Sequence, residues 1–103
     1  MEIIKNEKEF DQVLSENPSV FVDFFATWCG PCKMVAPIVE ELAAEMPEVK
    51  FIKVDVDEAS SVAARYGIMS IPTMITFKNG EPVAQSVGFQ PKEPLKEFAE
   101  TAK

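Results

Sequence analysis

Hydrophobic positions along the chain switch repeatedly between helical and extended spacing. Asn6 followed three residues later by Glu9 forms a capping-box pattern, and Phe10, Val13 and Leu14 then recur on one helical face. This predicts a helix over 7–16 that ends before Asn17 and Pro18. Glu2 to Ile4 ahead of it reads as a short strand. Val20 to Ala26, VFVDFFA, is apolar at both parities apart from Asp23, the pattern of a central strand covered on both faces. Helical spacing returns over about 30–46, where Val35, Ile38, Val39 and Leu42 make the buried stripe and Pro37, without an N–H, is expected to kink the helix. Phe51, Ile52, Val54 and Val56 define a further strand. Asp57 is placed to cap a short helix carrying Val62, Ala63 and Tyr66, with Gly67 just beyond its end.

After that the pattern becomes β-rich. Thr73 to Phe77 and Pro82 to Val87 are separated by Lys78, Asn79, Gly80 and Glu81, and Asn79-Gly80 predicts a hairpin between antiparallel strands. Leu95, Phe98 and Ala99 mark a closing amphipathic helix, with either Pro91 or Pro94 in its first turn. Tyr66, Phe98 and most of the methionines read as core. The order βαβαβαββα predicts an α/β three-layer sandwich, a central mixed five-stranded sheet with four helices on its two faces.

Composition narrows the function classes. With 103 residues, 47% of them hydrophobic, the chain fits one globular domain spanning 1–103. A net charge of -7 makes nucleic acid and anionic membranes poor partners. The N-terminal MEIIKNEKEF lacks the basic and apolar regions of a signal peptide, and no segment reaches the roughly 20 apolar residues that span a bilayer. A cytoplasmic protein is expected.

The candidate chemistry lies in FFATWCGPCKMVAPIV, residues 24–39, which holds both cysteines. With no histidine and no third cysteine, one chain cannot complete a nitrogen and sulfur metal site. A bridge across two residues closes too small a loop to serve as a structural staple. A redox couple remains. Cys29 ending a strand-to-helix loop and Cys32 one turn inside the helix place both sulfurs on one face within bonding reach. The helix start favours a thiolate at Cys29, making it the nucleophile and Cys32 the resolving thiol. Pro31 suits the first helical turn, and Gly30 leaves room for a partner's backbone and sulfur.

FATWCGPCK closely resembles the active-site signature of the thioredoxin family, and VDVDE, YGIMSIPT, FKNG and VG follow in the family's order, so the likeness covers essentially the whole chain. The resemblance implies the thioredoxin fold and a protein-disulfide reductase that works by dithiol–disulfide exchange without metal or bound cofactor. A thioredoxin reductase, NADPH- and flavin-dependent or ferredoxin-linked, would restore the dithiol. Implied clients are disulfide proteins of the ribonucleotide reductase, peroxiredoxin and methionine sulfoxide reductase types, met by a monomer. The resemblance also implies site roles. Cys29 and Cys32 form the redox-active disulfide. Pro72 is the cis-proline beside it, leaving the backbone at Ile71 to pair with a client strand. Trp28, Ile71 and Gly88 form an apolar collar around an exposed sulfur. Asp23 lies buried behind the second cysteine as its proton-transfer group, with Lys53 as its partner.

Asp23 also stands out without the family. It shares a strand face with Phe21 and Phe25, where a buried carboxylate has a raised pKa and costs stability unless it is paired, and such perturbed groups concentrate at working sites. Three positions depart from the family pattern: Phe25 replaces a tryptophan usual there, and Met69 and Phe89 stand where polar or small residues are common. Two alternatives share the same motifs, a thioredoxin-fold binding or chaperone module and a disulfide oxidant or isomerase.

Overall fold

The structure is a computed structural model describing residues 1–103. Five strands and four helices follow in the expected order: β1 (Glu2–Ile4), α1 (Glu7–Glu16), β2 (Ser19–Phe25), α2 (Gly30–Glu45), β3 (Lys50–Asp55), α3 (Ser60–Arg65), β4 (Thr73–Lys78), β5 (Glu81–Val87) and α4 (Lys92–Ala99). A 3-10 turn, Glu100–Ala102, extends α4. The strands assemble as β1-β3-β2-β4-β5, with β2 parallel to β3 and antiparallel to β4.

The continuous apolar pattern of β2 comes from its central place in this sheet. Val20, Val22 and Phe24 face one layer with Phe10 and Val13 of α1 and Val62 of α3. Phe21 faces the other, with Val35, Val39 and Leu42 of α2 and Leu95 and Ala99 of α4. Each face therefore carries two helices, and burial of both apolar faces drives the sandwich together. Rings fill both layers: Phe21 stacks on Phe51 at 4.7 Å, and Phe77 meets Phe10 and Tyr66 edge-on at 5.8 and 5.3 Å.

Local signals explain the boundaries. The Asn6 side chain accepts the Glu9 N–H at 2.9 Å, while the Glu9 carboxylate reaches back to the Lys5 N–H at 3.1 Å, one residue earlier than in the usual capping box. Asn79 and Gly80 both take positive φ, 52° and 84°, as a two-residue hairpin of the primed type requires. Gly67, with φ 63°, follows α3 as its left-handed exit. Both prolines near α4 are used, Pro91 as its N-cap residue and Pro94 within its first turn. α2 runs without interruption through Pro37, which is exposed and deprives only the Lys33 carbonyl of its helical donor.

Two expectations need correction. Asp57 does not cap α3: the helix starts at Ser60 behind Ala59 with no side-chain cap. The Asp55 carboxylate instead accepts the N–H groups of Asp57 and Glu58 and turns the chain there. Nor are most methionines core. Met46 and Met74 are buried, whereas Met1, Met34 and Met69 are exposed, because they sit at the chain start, on the outer face of α2 and in the loop before β4. Because the Asn6 cap satisfies a helix donor, Asn6→Ala is expected to lower stability by about 1 kcal/mol, read from the urea-unfolding midpoint with an unchanged slope.

Candidate active site

β2 delivers the chain to the top of the sheet at Phe25, and Ala26 to Trp28 carry it to Cys29, the N-cap residue of α2. Cys29 keeps an extended backbone, and its Sγ accepts the backbone N–H of Cys32 at 3.2 Å. The second cysteine thus supplies an amide that a hydroxyl or carboxylate cap would otherwise receive. Gly30 and Pro31 form the exposed first turn, and a Cβ added to Gly30 would meet nothing within 4 Å. Cys29 and Cys32 are joined as a disulfide, with Cα atoms 5.3 Å apart.

The sulfurs are more recessed than expected. Each cysteine retains 4% of its surface, in a small apolar cluster with Ala26, closed by Phe25, Val56 and Ile71. The exposed sulfur inferred from the sequence is therefore corrected: in the bridged state Cys29 Sγ turns inward and lies 3.9 Å from the Ile71 carbonyl oxygen. A bridged sulfur carries no proton, so this is a contact rather than a hydrogen bond.

The loop before β4 completes the rim. The Ile71–Pro72 peptide is cis and Pro72 is buried. The Gly88 N–H donates to the Pro72 carbonyl at 2.8 Å, from a φ of 89° that favours glycine. Trp28 is 69% exposed, and its indole N–H donates to the Asp57 carboxylate at 2.8 Å. Asp57, read from the sequence as a helix cap, is thus the site residue that went unrecognised. Its position at the same end of the sheet as Trp28, in VDVDE after β3, is the signal that could have found it. Met69, 96% exposed, and Phe89, 39% exposed, add apolar surface near Ile71 and Gly88 in the chain.

Beneath this rim Asp23 is 1% exposed, and neither carboxylate oxygen has a hydrogen-bond partner in the protein. Burial pushes its proton affinity up, to a pKa of about 6, with the Lys53 charge pulling the other way. Lys53 is the register partner of Asp23 on β3 but makes no ion pair with it. Its ammonium lies 4.3 Å from the centre of the Phe25 ring. The two charges therefore interact through space, not through the direct pairing that the word partner suggests. Phe25 and Lys53 line a cavity of about 220 Å³ that Cys32, Lys33 and Ala36 also border.

A bridged pair at the start of α2, a cis-proline in the loop before β4 and a buried carboxylate on β2 make up the candidate site. The family model described as Thioredoxin matches residues 2–101. The chain belongs to the thioredoxin family. It is 54% identical over 99 residues to the thioredoxin of Staphylococcus epidermidis, covering 94% of each chain. It is 50% identical over 98 residues to that of Mycoplasmoides gallisepticum, covering 95% of this chain and 98% of the relative. A solved thioredoxin from Plasmodium falciparum superposes with a TM-score of 0.94 at 43% identity over the full length of both chains. Like its thioredoxin relatives, this chain is a protein-disulfide oxidoreductase whose cysteine pair works by dithiol–disulfide exchange. No cluster of acidic or cysteine side chains is arranged to hold a metal ion.

Asp23 yields a signed prediction. Its carboxyl binds a proton more tightly folded than unfolded, so the folded protein loses stability as pH rises from 3.8 through about 6 and no more above that. A shift of this size corresponds to about 3 kcal/mol. Relative to wild type, Asp23→Ala should therefore gain about 3 kcal/mol between pH 3.5 and about pH 8, read by urea unfolding of the oxidised proteins. An equal stability difference at both pH values would show that the carboxylate is not buried as described.

Proposed function

We propose that this thioredoxin-family chain acts as a reductant of protein disulfides, as a single-domain monomer over residues 1–103, in the cytoplasm. The observation that carries the reading is Cys29 at the N-cap of α2 with the Cys32 amide directed at its sulfur. That amide and the positive helix end favour a negative sulfur there once the bridge is opened.

The exchange then runs in two steps. The Cys29 thiolate attacks one sulfur of a client disulfide, forming a mixed disulfide and releasing the other client sulfur as a thiolate. Cys32 gives its proton to the Asp23 carboxylate, attacks Cys29 Sγ and displaces the second client sulfur, which takes up a proton. Two electrons have passed to the client, and the Cys29–Cys32 bridge remains. A carboxyl that titrates near neutrality suits a group that must take this proton and give one back. The Lys53 charge moderates its affinity, and a thioredoxin reductase, NADPH- and flavin-dependent or ferredoxin-linked, returns the electrons.

Clients dock on the rim. Trp28, Gly30, Pro31, Ile71 and Gly88 supply contact surface, Pro72 holds the loop against the cysteines, and the Ile71 backbone offers an edge to an extended client segment. The clients proposed for this surface are disulfide proteins of the ribonucleotide reductase, peroxiredoxin and methionine sulfoxide reductase types. No helix is long and apolar enough to cross a membrane.

In an insulin disulfide-reduction assay Cys29→Ser should abolish turnover, and Cys32→Ser should accumulate a client adduct visible on a non-reducing gel. Wild-type turnover no faster than that of Cys29→Ser would refute the reading.

A further inference from the structure

Phe25 and Asp23 are two residues apart on β2, so their side chains leave the same face of the sheet. Lys53 is opposite Asp23 in the parallel register, and its ammonium is drawn over the Phe25 ring at 4.3 Å while both Asp23 oxygens go without a hydrogen-bond partner. An aromatic face attracts a cation through its quadrupole. The ring therefore competes with the carboxylate for the same ammonium.

We propose that Phe25 is a positioning residue: its ring holds the Lys53 ammonium at the mouth of the cavity beside Cys32 and keeps it from closing an ion pair with the Asp23 carboxylate. The proposal rests on the reading of Asp23 as the group that exchanges a proton with Cys32. Lys53 faces Asp23 from β3, Met74 is its register partner on β4, and α2 brings Cys32 and Lys33 to the adjoining cavity. α4 turns apolar Leu95 and Ala99 toward this layer. Lys53 is the charge that lowers the proton affinity of Asp23, so where its ammonium rests sets how basic the buried carboxylate is. Held on the ring, it leaves Asp23 basic enough to accept the Cys32 proton. Released to the carboxylate, it stabilises the charged form and weakens the base.

The test follows the Asp23 carboxyl carbon by NMR titration of the oxidised protein. Phe25→Leu, with Phe25→Met as a second variant lacking the ring, should move the Asp23 midpoint down by about one pH unit. Phe25→Trp, which keeps an aromatic face, should retain the wild-type midpoint. Lys53→Met should move the midpoint up, and in that background Phe25→Leu should change nothing. Stopped-flow decay of the mixed disulfide should show resolution by Cys32 slowed several-fold at neutral pH in Phe25→Leu. An unmoved midpoint in both ringless variants would overturn the proposal. So would a shift of equal size in the Lys53→Met background, since the ring would then act by excluding water. If the lysine-dependent shift occurs while Asp23→Asn resolves at the wild-type rate at every pH, the proton-transfer reading of Asp23 fails and the positioning of Lys53 stands.

Discussion

Everything in this molecule depends on β2 being covered on both faces and bonded on both edges. Its residues pair with β3 on one side and β4 on the other, and its alternate side chains anchor the two helical layers. A strand so enclosed can end in one place with little freedom. That fixed end is where the chain must turn into α2, and so where Cys29 is presented. The reactive sulfur gets its position from the sheet and its electrostatic setting from the helix, and neither element alone would supply both.

The same enclosure makes Asp23 expensive. A carboxylate in the middle of a strand covered on both faces, with no hydrogen-bond donor, opposes folding at neutral pH. Apolar burial on both sides of the sheet offsets that cost, as it does for strained or uncompensated groups at working sites generally. The protein thus carries a local penalty in a strand that both apolar layers hold in place. Outside the sheet, Arg65 bonds to Glu7 and Asp11 at 2.7 Å each and joins α3 to α1, but these groups are exposed and contribute little beyond orientation.

The fold was legible because its signals are local. The two-sided apolar run of β2, the Asn6 cap and the Asn79-Gly80 turn each specify backbone geometry over a few residues, and their order leaves few ways to build a sheet. The cysteines and Asp23 were legible for a related reason, since each is an odd residue in an otherwise regular pattern. What could not be read depends on tertiary placement. Asp57 looked like a helix cap because its sequence neighbours suit one, and only the fold brings Trp28 within reach of it. The inward turn of Cys29 depends on Ile71, 42 residues away. The exposure of Met34 and Met69 depends on which helix face and which loop stay uncovered. The direction of Lys53 is decided by competition between a ring and a carboxylate, which spacing along one strand does not reveal.

The hydrogen bond from Gly88 to the Pro72 carbonyl ties the site to the margin of the sheet as well as to its centre. The cysteine half of the rim is fastened to β2, in the centre of the sheet. The proline half leads straight into β4, an interior strand paired with β2, and Gly88 ties it in addition to β5, an edge strand with largely exposed side chains. Edges open at lower free energy than centres. Both halves of the rim therefore hang from interior strands, β2 and β4, so the cysteines and the cis-proline keep their spacing when the sheet margin frays, and only the Gly88 tether yields with it.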